Sequence, residues 1–121
     1  GVHIGEIKCG SAEVSIDVDP AKYFNHRDIC HGGVMLALAD SVLGVTGASV
    51  GAVVATLNFS MNFIKGVHEP TTLTVRSHIK HSGHSTMVIE AEMTDSKKNL
   101  IGTILTTMFV VDRFKEIPAK W

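Results

Sequence analysis

Hydrophobic and polar residues alternate in five segments of the chain, and each alternation predicts a β-strand with one buried face. The segments are residues 12–18, 56–63, 72–82, 85–94 and the mostly apolar 100–111. In residues 56–63, one face is predicted to carry Leu57, Phe59, Met61 and Phe63. The other face carries Thr56, Asn58, Ser60 and Asn62, a row that contacts either solvent or another subunit. Gly83-His84 and residues 95–99 mark turns between strands.

One further segment, residues 34–50, is too long for a strand and is rich in Leu, Ala, Met and Val, so it is predicted to be a helix. It is apolar nearly all round, which predicts a helix wrapped by other structure. One helix followed by four antiparallel strands indicates an α+β fold in which the sheet curls around the helix. At this length, with no linker or repeat, residues 1–121 are expected to form a single domain.

Composition excludes several classes of protein. The formal net charge of −1 gives no broad electrostatic basis for binding nucleic acid. No segment has the 18 or so uninterrupted apolar residues of a membrane span, so no contact with a membrane is expected. Two cysteines, Cys9 and Cys30, are too few for a disulfide scaffold and are typical of a reducing compartment. The expectation is a cytoplasmic protein.

A single acid, Asp40, lies inside the predicted helix. Small residues around it are spaced three or four apart and would form one stripe with it: Gly33, Ala37, Gly44, Gly47 and Gly51. Such a stripe lets a ligand or a second helix come close to the acid. The alternatives are helix–sheet packing for the glycines and a bond to a nearby hydroxyl or backbone group for the acid.

The helix is preceded by Gly32 and Gly33. The first N–H groups of a helix have no partners within it and lie at the positive end of its dipole, so they can stabilise a developing oxyanion. Glycine lets a ligand carbonyl approach these N–H groups. An ordinary glycine-rich helix start is the alternative explanation.

A motif around these residues resembles a known signature. The pattern N-x5-H-G-G-x4-L-A-D is carried by Asn25, His31, Gly32, Gly33, Leu38, Ala39 and Asp40. It is similar to the signature of the hotdog-fold acyl-CoA thioesterases, in particular the PaaI-like and 4-hydroxybenzoyl-CoA thioesterase branch. The stretch TLNFSMNFIKG is similar to that family's second long strand. The resemblance implies a hotdog fold and hydrolysis of aryl- or medium-chain acyl-CoA, without a metal ion or other cofactor.

The resemblance also implies roles for individual residues. Asp40 would be the nucleophile or general base, and the Gly32 N–H would polarise the thioester carbonyl. Asn25 would orient the attacking group and His31 would shape the loop. The substrate-binding residues would be Gly33, Gly44, Lys65, Ser82 and His84, with His81 and Lys80 as further candidates for the CoA phosphates. Gly44 stands where family members often have a Ser or Thr.

The spacing of Gly32 and Asp40 predicts a shared site. Eight residues along one helix span roughly 12 Å, whereas an attacking group must be about 3 Å from the carbonyl carbon. A second, antiparallel copy of the helix would bring its own Asp40 to that point. The resemblance implies the same composite site in a homodimer, with a dimer of dimers expected.

Four other interpretations remain. A nucleophilic Cys30 beside His31 is disfavoured because adjacent residues seldom point at each other. A metal site at His78, His81 and His84 is disfavoured because His78 and His81 are predicted to face opposite sides of a strand. The same fold also supports a non-catalytic acyl-CoA-binding module, which the presence of both Asn25 and Asp40 disfavours. Hydratases and dehydratases of this fold usually pair a His with an Asp or Glu in a different loop–helix pattern.

Overall fold

Six strands and one helix form the part of the chain that the structure, a computed structural model, describes: residues 2–18, 32–67, 70–114 and 116–117. The strands are β1 (Val2–Lys8), β2 (Ser11–Asp17), β3 (Ala52–Phe63), β4 (Thr72–Ser82), β5 (Thr86–Thr94) and β6 (Leu100–Arg113). The helix α1 (Gly32–Ala48) precedes β3. The strands form one antiparallel sheet in the order β1-β2-β4-β5-β6-β3. Within the described ranges, no helix is long and apolar enough to cross a membrane.

The core lies between α1 and one face of the sheet. Every second residue of β2 is buried, and most of β4 and β5 follows the same alternation. The predicted inner residues Leu73 and Val75 are fully buried, and Ile79 packs against them. Met87, Ile89, Ala91 and Met93 form the matching buried row of β5. Alternation therefore located these strands correctly.

β1 is the strand that the sequence pattern missed. Its described side chains are all exposed, including Ile4 and Ile7. Its pairing with β2 also shifts in register between these two residues. Ile4 and Ile7 both lie opposite core residues of β2, but the shift between them puts them three positions apart, so the alternation is interrupted and too short to predict a strand.

From Leu38 to Ala48 the helix is buried on one side only, which corrects the prediction that other structure wraps it. Its buried residues follow helical spacing: Leu38, Ala39, Val42, Leu43, Thr46 and Gly47. On the other side Asp40, Ser41 and Gly44 are exposed. The helix also runs from residue 32 to 48, two residues earlier at each end than predicted. The described residues thus form one sheet and one helix, and one face of that helix is covered by nothing in these ranges.

β3 departs from the predicted alternation because it contains a bulge. Thr56 lies opposite Met108 and Asn58 lies opposite Thr107, so Leu57 is an extra residue with no partner. Directly opposite residues share a face, and Met108 belongs to the core. Thr56 therefore lies on the core side of the sheet, and the prediction that it shares a face with Asn58, Ser60 and Asn62 is wrong. The alternation pattern assumes that every residue switches to the other face of the sheet, and the extra residue of a bulge breaks that rule.

The outer face of the sheet has two dissimilar halves. The charged half, on β2, β4 and β5, contains ion pairs of Arg76 Nε with Glu13 Oε2 at 2.9 Å and of Lys80 Nζ with Glu90 Oε2 at 3.4 Å. The other half, on β3 and β6, carries one charge, Asp112 opposite Val53 at its end, and is called the uncharged half for its remaining residues: Ala55, Asn58, Ser60, Asn62, Thr103, Leu105, Thr107 and Phe109. Leu105 and Phe109 are among its exposed apolar residues.

Candidate active site

Asp40 lies in the middle of the uncovered face of α1. Its side chain is exposed, and no hydrogen bond or ion pair joins its carboxylate to another residue in the described ranges. The alternative that this acid serves a neighbouring hydroxyl therefore has no support in this part of the chain. A carboxylate held on a rigid helix and open on one side is free to meet a ligand or a second chain.

The helix begins at Gly32, so the Gly32 and Gly33 N–H groups are among those that lack partners within it. Eight residues separate Gly32 from Asp40, which corresponds to roughly 12 Å along α1. One chain alone therefore does not bring the two groups to a single carbonyl. Asn25, Cys30 and His31 lie outside the described residues.

The structure divides the predicted small-residue stripe. At Gly44, one turn after Asp40, an added methyl group would have no neighbour within 4 Å. At Gly47 it would lie 3.0 Å from Val54 Cγ2, so this glycine serves helix–sheet packing. Gly51 lies beyond the helix in a turn with φ 79° and packs under the carbonyl of Phe114. Of the stripe residues from Gly44 onward, Gly44 is the one that stays beside the acid as an open position.

The residues predicted to bind CoA lie at two different ends of the sheet. α1 ends near the turn between β1 and β2, where Ser49 Oγ accepts a hydrogen bond from Gly10 N at 3.0 Å. Gly10 in turn accepts from Ile79 N, so the exposed Ser82 and His84 lie toward this end. Lys65 follows β3 at the other end, toward which the helix start points. It lines a cavity of about 220 Å³ together with Thr71 and Lys97.

Thr56 is a candidate that the sequence interpretation assigned to the wrong face. Its exposed side chain lies on the core side of β3, and its Oγ1 is 3.6 Å from Met108 Sδ. β3 runs antiparallel to α1, and Val54 of β3 contacts the helix at Gly47. Thr56 follows Val54 by two residues, or about 7 Å, in the direction of Asp40. No signal in the alternation could have revealed this, because the bulge at Leu57 reverses the pattern.

The structure corrects the predicted arrangement of the β4 histidines. Because of a bulge between Ile79 and His81, both His78 and His81 lie opposite outer-face residues of β5, Glu90 and Val88. The prediction that the two histidines face opposite sides is therefore wrong. All three histidines near this turn are exposed as expected, and His78 Nε2 is 2.8 Å from Glu90 Oε1. Among the described residues, no group of three or more potential metal ligands was found.

A six-stranded antiparallel sheet that packs one face against a long helix is the hotdog architecture. A model of the thioesterase superfamily matches residues 28–101. The chain therefore belongs to the thioesterase superfamily and is a thioester hydrolase. The fold and the family expected from the motif are both confirmed.

Individual relatives agree with this assignment. The acyl-coenzyme A thioesterase PaaI of Escherichia coli is 26% identical, over 84% of this chain and 71% of its own. The structure of a Streptococcus mutans protein bound to acetyl CoA is 27% identical with a TM-score of 0.90, covering 95% of this chain and 92% of that one. A hypothetical thioesterase of Streptococcus pneumoniae, solved with coenzyme A, is 26% identical with a TM-score of 0.88, covering 93% and 88%. Two variants of a thioesterase from the same source replace an aspartate and a threonine sixteen positions later with alanine.

Proposed function

We propose that the protein hydrolyses acyl-CoA thioesters to the free acid and CoA at two equivalent sites of a homodimer. Each site combines the Gly32 N–H of one chain with Asp40 of the partner subunit. The observation that carries the proposal is the exposed Asp40 on the uncovered face of α1. The acyl-CoA ligands of the related proteins support the substrate class, and aryl or medium-chain acyl groups are the expected substrates.

The chemistry follows from these two groups. The thioester oxygen accepts a hydrogen bond from Gly32 N–H, which stabilises negative charge there as the carbonyl carbon is attacked. As a general base, Asp40 takes a proton from the attacking water, the C–S bond breaks, and the CoA thiolate receives that proton. As a nucleophile, Asp40 forms an anhydride and releases CoA thiolate, and water then cleaves the anhydride. Asn25 and His31 complete the site by orienting the attacking group and shaping the loop.

The free edge of the sheet supports the dimer. β3 has twelve residues, none of them charged or proline, and it leaves Leu57 and Phe63 exposed by 61% and 49%. An exposed edge without charge or proline pairs readily with another strand. Pairing two copies of β3 would extend the sheet and set the uncovered faces of two α1 helices side by side. The two-fold axis would then bring Asp40 of each chain toward Gly32 of the other.

Thr56 is proposed to assist Asp40. The aspartate and threonine replaced in the two Streptococcus pneumoniae variants are sixteen positions apart, and so are Asp40 and Thr56. The threonine hydroxyl, on the face of β3 that points toward the helix, would orient the attacking water or the carboxylate. Thr56 would thereby supply the hydroxyl group that family members often carry at the position of Gly44.

The CoA moiety is proposed to extend from the shared site along both chains. Lys65 lies at the same end as Gly32, while Ser82 and His84 lie near the end of α1. In the antiparallel pair, the partner's Ser82 and the partner's His84 are therefore roughly 12 Å beyond Asp40 of that subunit. Gly33 and Gly44 would line the path of the pantetheine and acyl groups.

A dimer of dimers is proposed to form through the uncharged half of the outer face. Two copies paired at β3 would bring their uncharged halves together across the two-fold axis. Interface centres are depleted in charged residues, and a surface on the axis pairs with a second copy of itself. The charged halves would then lie at the rim. The two cysteines are the reason for proposing a cytoplasmic location.

Substitution of Asp40 tests the catalytic proposal. Asp40→Asn keeps the size of the side chain and removes its charge, so hydrolysis of acyl-CoA should fall by about 10² to 10⁴. Asp17→Asn makes the same change at another exposed aspartate and should leave the rate unaltered. Release of CoA from short-chain, medium-chain and aromatic acyl-CoAs is the measurement. An Asp40→Asn protein that folds and hydrolyses at the parental rate would contradict the role of Asp40.

The parent protein separates the alternative functions in the same assay. An acyl-CoA-binding module would bind the substrates without releasing CoA. A hydratase would change the absorbance of an enoyl-CoA without releasing a thiol.

Complementation tests the shared site. Asp40→Asn chains mixed with Asn25→Ala chains should form about half mixed dimers, each with one intact site, so roughly a quarter of parental activity should return. If the chains exchange and no activity returns, both groups act within one chain.

A further inference from the structure

Thr106 is a buried polar residue in the core-facing row of β6. Its side chain is 1% exposed, and its row neighbours Ile104 and Met108 are apolar core residues. The hydroxyl donates a hydrogen bond to the carbonyl oxygen of Asn58 at 2.6 Å, and Met108 Sδ lies 3.4 Å away. The hydrogen bond therefore crosses from β6 to the edge strand β3, in addition to the backbone ladder.

The carbonyl that Thr106 holds belongs to the bulge. Leu57 is the extra residue, and Asn58 is the first residue after it that regains a partner on β6. A bulge interrupts the ladder, bends the strand and re-aims the side chains beside it. The hydrogen bond from Thr106 to Asn58 therefore holds β3 at the bulge, where the backbone hydrogen bonds between β3 and β6 are interrupted.

The same bulge positions Thr56, which immediately precedes Leu57. The Thr56 hydroxyl is 3.6 Å from Met108 Sδ, the sulfur that the Thr106 hydroxyl also approaches. Thr106 thus contacts the edge strand after the bulge through Asn58 and before the bulge through Met108. Any movement of the bulge would move the Thr56 hydroxyl relative to Asp40 on α1.

We propose that Thr106 is a positioning residue, which holds the β3 bulge so that the Thr56 hydroxyl stays in place for the reaction. The proposal rests on the hydrolysis and on the role of Thr56 proposed above. A second buried threonine provides a comparison: Thr46 bonds within its own helix to the Val42 carbonyl at 2.6 Å and contacts the Ser77 hydroxyl. Its hydroxyl is equally buried, but it touches no part of the bulge.

The experiment removes the hydroxyl without changing the shape. Thr106→Val should lower kcat for acyl-CoA hydrolysis by about tenfold to a hundredfold, because a shift of the order of 1 Å in a reacting group has effects of this size. KM should stay within about twofold, since the bonds to CoA are unchanged. Thr106→Ser should restore most of kcat. Thr46→Val, which also buries a valine in place of a threonine, should leave kcat unchanged.

A double variant distinguishes positioning from general destabilisation. If Thr106 acts through Thr56, the variant with both Thr56→Ala and Thr106→Val should be about as slow as Thr56→Ala alone. If Thr106→Val does not fold, Thr106→Ala and Thr106→Ser provide the same comparison, because they differ only by one oxygen atom. A kcat near the parental value in a variant without the hydroxyl, or effects that multiply in the double variant, would overturn the proposal. A parent protein that hydrolyses no acyl-CoA would instead overturn the proposed function.

Discussion

The sheet ends in β1 on one side and in β3 on the other, and the two edge strands carry different residues. β1 has seven residues, among them His3, Glu6 and Lys8, and its pairing with β2 is irregular. β3 has twelve residues, and none of them is charged. Short length, charge and irregular pairing are the features by which proteins keep an edge strand from pairing with other chains. β1 has all three features, whereas β3 is longer and uncharged and shares only the irregular pairing, with two shifts in register against β6.

The difference is the reason for placing the proposed contact between two chains at β3. β3 lies next to the uncovered face of α1 and to the uncharged half of the outer face, whereas β1 lies next to the charged half. The proposed assembly and the proposed site therefore use the same side of the molecule. The predictions below change one side and use the other as the control.

The largest effect is expected from a charge placed on the β3 edge. Phe63→Lys should convert the dimer into a monomer and lower hydrolysis by about a hundredfold or more, because each site needs groups from two chains held in register. Ile4→Lys makes a comparable change on β1, at a side chain that is 61% exposed, and should alter neither property. Light scattering and the rate of CoA release are the measurements. A monomeric Phe63→Lys protein with full activity would show that one chain contains the whole site.

The next effect concerns how β3 is anchored at its start. Gly51 has φ 79°, and an added methyl group would lie 3.0 Å from the Phe114 carbonyl oxygen. Gly51→Ala should therefore lower the free energy of unfolding by about 1 to 3 kcal/mol, measured by urea denaturation. Gly44→Ala, where the methyl group meets nothing in the chain, should raise it by up to about 1 kcal/mol and lower activity several-fold. Equal stability changes at the two glycines would contradict this account.

A smaller effect on activity is expected from the outer face. Leu105→Glu places a charge in the uncharged half and should split the dimer of dimers into dimers, since a buried unpaired charge is costly. Activity should stay within about threefold, because the site lies on the other side of the sheet. Thr74→Glu, on the outer face of β4, serves as the control for a new charge outside the proposed contact. Sedimentation velocity that gives the same species for Leu105→Glu and parent would remove this surface from consideration.

The smallest effect is a pH dependence at the turn between β5 and β6. The Asn99 side chain and the backbone N–H groups of Asn99 and Lys97 donate to the Asp95 carboxylate and lower its pKa below 3.8. A carboxyl group whose pKa is lower in the folded than in the unfolded protein stabilises the fold at pH values above its unfolded-state pKa. That stabilisation is lost as the pH falls through the folded-state pKa. Asp95→Asn should therefore lower Tm by a few degrees at most at neutral pH. The difference should shrink below about pH 4, and a difference independent of pH would exclude this cause.

The sequence predicted the strands and the helix for a physical reason: a half-buried element must alternate or repeat. Leu73, Val75 and Ile89 reveal their strands because only one face of each strand meets the core. In β1 the irregularity between Ile4 and Ile7 interrupts the alternation, so the remaining pattern is too short to predict a strand. The bulges at Leu57 and between Ile79 and His81 shifted the pattern by one residue, which misplaced Thr56 and His81. Pairing partners determine such shifts, and a single sequence does not contain the partners.

In the candidate site, too, local features were predictable from the sequence, whereas features that depend on contacts with distant residues were not. Asp40 and the start of the helix were predicted because local spacing and the motif specify them. The exposure of Asp40 depends on which side of α1 packs on the sheet, since a helix apolar nearly all round does not indicate its buried side. The sequence places Gly47 and Gly51 in the stripe around Asp40. In the structure, Gly47 instead makes room for Val54 of β3, and Gly51 makes room for the carbonyl of Phe114.

The bulge at Leu57 has a consequence for the length of the chain. Thr56 and Asn58 already lie opposite consecutive residues of β6, so loss of Leu57 would close the ladder without displacing any other pair. Proteins of this fold could therefore gain or lose one residue here at little cost to folding. An alignment of such proteins that admits no gap within this strand would match Thr56 with the wrong neighbour.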